Sequence, residues 1–362
     1  MVAIGILKAH PSLTNEHLTA ALALLRDKDS YFRGAVLGVL KLQRSLSKEH
    51  LIAVVALLRD EDEYVREATL GVFQAQPSLS DEHLTAVVAL LRDEDKYVRE
   101  AALGVLKVQP SLSNEHLTTI IALLRDENKF IREAASGVLE AQPSLSNQHL
   151  TAIVALLKEV GIYIRRSALG VLKSQVSLCN EHLTAVVALL RDEDKYARGS
   201  ALGVLEAQPS LSNENLAAVM ALLREKDSYF REAVLGVLKA QHSLSNEHLA
   251  AVVALLRDKD DYVREAALGV FQAQPSLSNE HLAGIIALLE DEDKYIREAA
   301  LVVLEAQASL SNEHLTAVVA YFRDEDKSVR EAALEVFQAQ PSLSNEYLTA
   351  VVALLGDEGV YL

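Results

Sequence analysis

A self-similarity of period 33 runs through this 362-residue chain and restricts its fold more than any other feature. The stretch LLRDEDKYVREAALGVL at 90–106 returns as LLRDEDKYARGSALGVL at 189–205. His17, His50, His83, His116, His149 and His182 mark the step. Asn215 substitutes once, His248, His281 and His314 resume it, and Tyr347 ends the series. A unit this short cannot bury its apolar face alone, so it must stack on its neighbours. All seven prolines (Pro11, Pro77, Pro110, Pro143, Pro209, Pro275, Pro341) fall in one phase and punctuate one kind of boundary. No linker interrupts the copies. The expected organisation is therefore a single solenoid over 1–362, with incomplete repeats at both ends. Its repeats start near Thr14, Ser47, Ser80, Ser113, Ser146, Cys179, Ser212, Ser245, Ser278, Ser311 and Ser344.

Within residues 80–113, Leu84, Val87, Val88 and Leu91 follow the i, i+3, i+4, i+7 spacing of one buried helical stripe. Ser80 precedes them as an N-cap, with Leu79 and Leu84 placed for a hydrophobic staple. After the acidic turn RDEDK, Asp95 is a candidate cap for a second helix, whose stripe is Val98, Ala101, Ala102, Val105 and Leu106. Pro110 forbids its continuation. Each repeat thus reads as a helical hairpin.

Asp93, the pair Val98-Arg99, Ala102 and Leu106 resemble the signature of HEAT repeats, particularly the short HEAT-like repeats of the phycobilisome-lyase type, over essentially the whole chain. The resemblance implies an all-α, right-handed α-α superhelix of about eleven helix pairs, of the armadillo-type class, with second helices lining the concave side. It also implies an Asp–Arg ladder stitching the turns. Arg33, Arg66, Arg99, Arg132, Arg165, Arg198, Arg231, Arg264, Arg297 and Arg330 occupy its basic phase. Asp27, Asp60, Asp93, Asp126, Asp192, Asp258, Asp291 and Asp324 occupy the acidic one, where Glu159 and Glu225 are longer departures. Thr85 and its equivalents stand where longer HEAT repeats carry a kinking proline, so the first helix should be straight. Three-helix armadillo units and the β-turn and TPLHxA-like pattern of ankyrin units fit the capping and stripes less well.

Half the residues are apolar and none of the apolar runs, such as LTAVVALL at 84–91, approaches the ~20 residues of a membrane span. No basic-then-apolar leader opens the chain, there is no N-x-S/T acceptor, and the single cysteine excludes an internal disulfide. These features favour a cytoplasmic protein. The net charge of −16 is spread through every repeat; it repels phosphate backbones and anionic membrane and keeps an apolar-rich array soluble.

The Glu-His pairs that open first helices, such as Glu82-His83, suggest metal, but ligands must lie about 2.1 Å from one ion, whereas stacked helices are roughly 8–10 Å apart. These histidines read as structural. Cys179 stands at a capping position with no base beside it. The expectation is a non-catalytic chain without cofactor or metal, a HEAT-like metal or thiol enzyme being one alternative. Glycines at the phase of Gly104 recur inside second helices at about 1 kcal/mol each relative to alanine, which implies either tight packing of successive second helices or a groove floored by backbone.

The helical wheel places Lys96, Glu100 and Lys107 opposite the core beside Tyr97, and these charged phases vary from copy to copy while the aromatic persists. The tyrosines either pack between repeats or form a row that grips a protein or peptide. The candidate partner-binding residues are Tyr64, Tyr97, Glu100, Lys107, Tyr163, Arg166, Tyr196, Glu206, Tyr229, Lys239 and Tyr262. The segment 158–179 breaks the pattern most, with Val160-Gly161-Ile162 in the turn and Val176 in the proline phase; hinge, contact or drift all fit. Both ends fall inside second helices without polar capping repeats, which suggests a longer array or ends that meet another chain. The expected function is a protein-interaction scaffold using the concave face, or the sensing array of a NACHT-type receptor.

Overall fold

The computed structural model describes residues 2–10, 12–43, 46–159, 161–241, 244–274 and 276–355. Pro11, Val160, Pro275 and the last seven residues, 356–362, on which the reading of the chain's end rests, lie outside them. The described residues form 22 α-helices and nine 3-10 turns, without β-strand. Contacts divide the chain into two compact units, 1–178 and 179–362. The division falls at the end of the segment that breaks the repeat pattern.

In the unit 1–178, second helices Val2–Lys8, Ser30–Leu40, Glu63–Gln74, Lys96–Lys107, Lys129–Glu140 and Ile162–Ser174 pack in series. First helices Asn15–Ala23, Lys48–Val55, Asp81–Ala89, Asn114–Ala122 and Asn147–Ala155 form a parallel layer. The unit 179–362 repeats the two layers, with second helices Lys195–Glu206, Ser228–Lys239, Asp261–Gln272, Lys294–Glu305 and Lys327–Gln338.

The second-helix caps follow the sequence, whereas Ser80, at the N-cap position of its first helix, makes no side-chain cap bond because its hydroxyl pairs with His83 Nδ1 at 2.7 Å. Asp95 accepts from the Tyr97 amide at 2.8 Å, and Asp62, Asp194, Asp227, Asp260, Asp293 and Asp326 act alike. Gly161 gives the helix Ile162–Ser174 no side-chain cap, and neither does Cys179 the helix Asn180–Ala188. The first helix differs from expectation at its end: instead of running to Leu91 it tightens into the 3-10 turn Leu90–Arg92. Asp93 N donates to Leu90 O at 3.0 Å, which serves a carbonyl the ending helix leaves open before the chain reverses. Val98, Ala102, Val105 and Leu106 are fully buried as the stripe required, whereas Ala101 is half-buried. Leu103, outside the stripe, is fully buried too. It belongs to a helix with second-helix neighbours on both sides, which widens the apolar face beyond one stripe.

Candidate partner-binding surface

Three hydrogen-bonded ladders set the spacing of this surface. The arginine ladder reaches forward: Arg33 Nη1 donates to Asp27 O and Lys28 O of its own turn, while Nη2 meets Asp60 of the next repeat at 2.8 Å. Arg66–Asp93, Arg231–Asp258 and Arg297–Asp324 repeat the pair. Arg99, Arg132 and Arg264 hold their own turn carbonyls, Asp93 O, Asp126 O and Asp258 O. The longer acids behave differently: Glu159 reaches Arg125 at 3.0 Å, and Glu225 lies 3.8 Å from Arg198. Asp192 and Arg165 also have partners.

Seven of the recurring histidines are buried, whereas His17 is exposed and His248 half-buried. His149 bonds Ser146 Oγ through Nδ1 at 2.9 Å and the preceding repeat's Asn114 O through Nε2 at 3.2 Å; His281 does the same with Ser278 and Asn246 O. Their ring nitrogens are thus committed between stacked first helices.

A third ladder escaped sequence reasoning. Gln43, Gln76, Gln109, Gln142, Gln175, Gln208, Gln241, Gln274, Gln307 and Gln340 are all buried. Gln76 Oε1 accepts from Leu46 N at 3.0 Å, closing its own hairpin, and its Nε2 donates to Gln43 O at 3.0 Å in the preceding repeat. Gln241 closes onto Leu211 N and steps to Gln208 O in the same way. Ten glutamines in one phase were the available signal.

With the spacing set, the tyrosines project from the second-helix layer. Tyr64, Tyr97, Tyr163, Tyr196, Tyr229 and Tyr262 are 57 to 73% exposed, so most of each ring faces solvent and little of it packs between repeats. Glu100, Lys107 and Arg166 are exposed on the second helices of the unit 1–178, and Glu206 and Lys239 on those of the unit 179–362.

The structure gathers these residues in grooves between successive second helices. One of about 490 Å³ is lined by Glu206, Tyr229, Glu232, Lys239, Tyr262 and Glu265 over Gly236 and Gly269. Another of about 470 Å³, in the unit 1–178, carries Lys107, Arg132, Glu133, Glu140, Tyr163 and Arg166 over Gly137 and Gly170. A third of about 370 Å³ includes Tyr31, Tyr64 and Asp62 beside Gly34. Tyr97, Glu100 and Tyr196 stand exposed outside these three.

Carboxylates that cap second helices also tie them to the helix before. Lys294 Nζ donates to Asp326 at 2.8 Å and, with Ser328, holds that carboxyl down to about 2. Glu63 occupies the Lys294 phase but faces Asp95, whose hydrogen bond and charge push the Glu63 carboxyl up.

The glycines meet side-chain tips rather than helix backbones. A Cβ on Gly104 would lie 3.4 Å from Gln74 Nε2, and one on Gly137 3.3 Å from Lys107 Nζ. Both readings of these glycines therefore meet in one geometry: a groove floor against which a flexible side chain rests. Gly104→Ala should raise stability by about 0.5–1 kcal/mol, because helix propensity improves and the Gln74 tip can shift. Urea titration checks this; a destabilised variant would mean the floor is packed rigidly.

Residues 183–271 match the sequence pattern of HEAT repeats. No curated protein matches the chain. Among solved structures, Kap121p bound to Ste12p is similar with TM-score 0.60 and 14% identity over 95% of this chain and 44% of that one. Importin beta is similar with TM-score 0.58 and 14% identity over 96% of this chain and 58% of that one. Kap121p bound to Nup53p gives TM-score 0.57 and 13% identity over 91% of this chain and 42% of that one. The chain thus spans about half the length of these proteins, and at such identity the likeness is one of fold.

Proposed function

We propose that this chain, a HEAT-repeat helical protein, is a non-catalytic scaffold that binds a protein or peptide along its second-helix face, the face expected to be concave. The observation that carries the reading is the recurrence of tyrosines 57 to 73% exposed on the second helices of each unit. Rigid aromatic rings lose little conformational freedom on binding and bury large areas, which is why they dominate contact energetics. The flanking residues differ in sign from groove to groove, and that variation supplies specificity without altering the core. Kap121p, of the same class of fold, is bound to Nup53p in one structure and to Ste12p in another, which supports a binding role without naming a partner. The acidic balance argues against nucleic acid and anionic membrane as partners, and no described helix is long and apolar enough to cross a bilayer. The single cysteine supports a cytoplasmic setting.

The test is affinity capture with the intact chain against a variant carrying Tyr97→Ala, Tyr196→Ala and Tyr262→Ala. At 1 kcal/mol or more per anchor, the variant should lose about 100-fold in affinity for whatever the intact chain retains, with unchanged helical circular dichroism. Equal retention by both proteins would remove the tyrosine row from the binding face.

A further inference from the structure

The grooves are built alike but are not electrostatically alike, and one of them is incomplete by charge. Over most floor glycines lies the tip of a side chain from the end of the preceding second helix. It is an ammonium at Gly38 (Lys8), Gly71 (Lys41), Gly137 (Lys107) and Gly269 (Lys239), and an amide at Gly104 (Gln74). Gly170 and Gly236 instead lie under carboxylates, Glu140 and Glu206. Glu140 is satisfied, because Ser136 Oγ donates to it at 2.7 Å. In the repeat of Glu206 the residue at the Ser136 phase is Leu202, which is buried and offers no donor. Among the described residues Glu206, Glu232 and Glu265 have neither an ion pair nor a hydrogen-bond partner for their side chains. They share their groove with one ammonium, Lys239, and with the Tyr229 and Tyr262 rings, 58 and 70% exposed.

Resting on the scaffold reading, we infer that this groove receives a lysine or arginine side chain of an extended partner segment. Its cationic head lies between Glu206 and Glu232, and its aliphatic stem runs along Tyr229 and Ala233 above Gly236. Charge complementarity selects the cation, and an exposed tyrosine ring adds cation–π attraction and apolar contact for the stem. Gly236 leaves room for the Glu206 carboxylate, which lies 3.3 Å from where a Cβ would stand.

The experiment uses the full chain and a fluorescein-labelled extended peptide alternating lysine and serine, read by fluorescence anisotropy at physiological ionic strength. A peptide alternating glutamate and serine is the counterpart. The lysine peptide should bind saturably and the glutamate peptide should not. The double variant Glu206→Gln with Glu232→Gln should weaken the lysine peptide about tenfold or more, a difference of about 1.4 kcal/mol. Glu133→Gln with Glu140→Gln removes the same charge from the equivalent groove of the other unit and should leave the affinity within about twofold. Equal losses from the two double variants would reduce the effect to net charge and overturn the inference. So would absent or sign-blind peptide binding, or self-association of the chain that the first double variant abolishes. If the lysine peptide ignores Glu206 and Glu232 while the tyrosine variant still loses its captured partner, the scaffold reading stands and this one falls.

Discussion

Replacing Gln76 with leucine is expected to destabilise the repeats around it by about 2–5 kcal/mol. The substitution nearly preserves volume, so the loss is polar in origin. Gln76 Oε1 accepts from Leu46 N, and its Nε2 donates to Gln43 O and, at 3.4 Å, to Val72 O. Gln76 and Leu46 are buried, so water cannot replace these bonds without opening the hairpin. An orphaned buried donor or acceptor costs about 1–3 kcal/mol, and the variant leaves at least two. Stacked arrays open locally, so native-state hydrogen exchange at the Leu46 amide is the appropriate measurement. The control is Gln74→Leu, exposed and two residues away, which should stay within about 0.5 kcal/mol of the parent. Undiminished protection at Leu46 in the Gln76 variant would mean the glutamine row merely fills space.

Phe73→Ala should cost about 3–5 kcal/mol through lost transfer energy and the cavity left behind. Phe73 is fully buried, and its ring centroid lies 5.9 Å from that of His83, so it joins the end of one second helix to the next first helix. The same burial pushes the His83 imidazole below its ordinary pKa. A depressed imidazole pKa contributes stability that is fully present above about 6.5 and is lost as pH falls toward the folded value, because the unfolded chain takes up the proton first. Opening a cavity beside the ring lets water in. The His83 titration should therefore move back toward the ordinary imidazole value in the variant, and the acid sensitivity it contributes should shrink. Urea unfolding and the His83 proton resonance followed through pH 5–8 check both halves. A variant losing under about 1 kcal/mol would imply that the neighbouring repeat closes over the gap.

Period, caps and stripes could be read from the sequence because each is local. Ser80, Asp95 and Pro110 act on residues within a turn of themselves, and repetition multiplies the signal. The arginine phase was legible only through resemblance, since Arg33 meets Asp60 at a separation of 27 residues. The glutamine row was missed although its recurrence is equally regular. Lying beside Pro77 and its equivalents, a glutamine looks like loop, and its partners stand 30 and 33 residues upstream. The exposure of the tyrosines could not be decided from a helical wheel, because the wheel gives direction but not how closely the next repeat approaches. The charge of each groove is likewise a property of two adjacent copies: Lys107 lies over Gly137, and Glu206 over Gly236.

The ladders carry one consequence for how a gene of this kind changes. Gln76 finds in its own copy and in the copy before it the same two groups that Gln241 finds. Excising or duplicating one whole period would present such a glutamine with the same two backbone groups again. Recombination in steps of one copy is then conformationally silent, whereas an insertion of any other length strands a glutamine, an arginine and a histidine together.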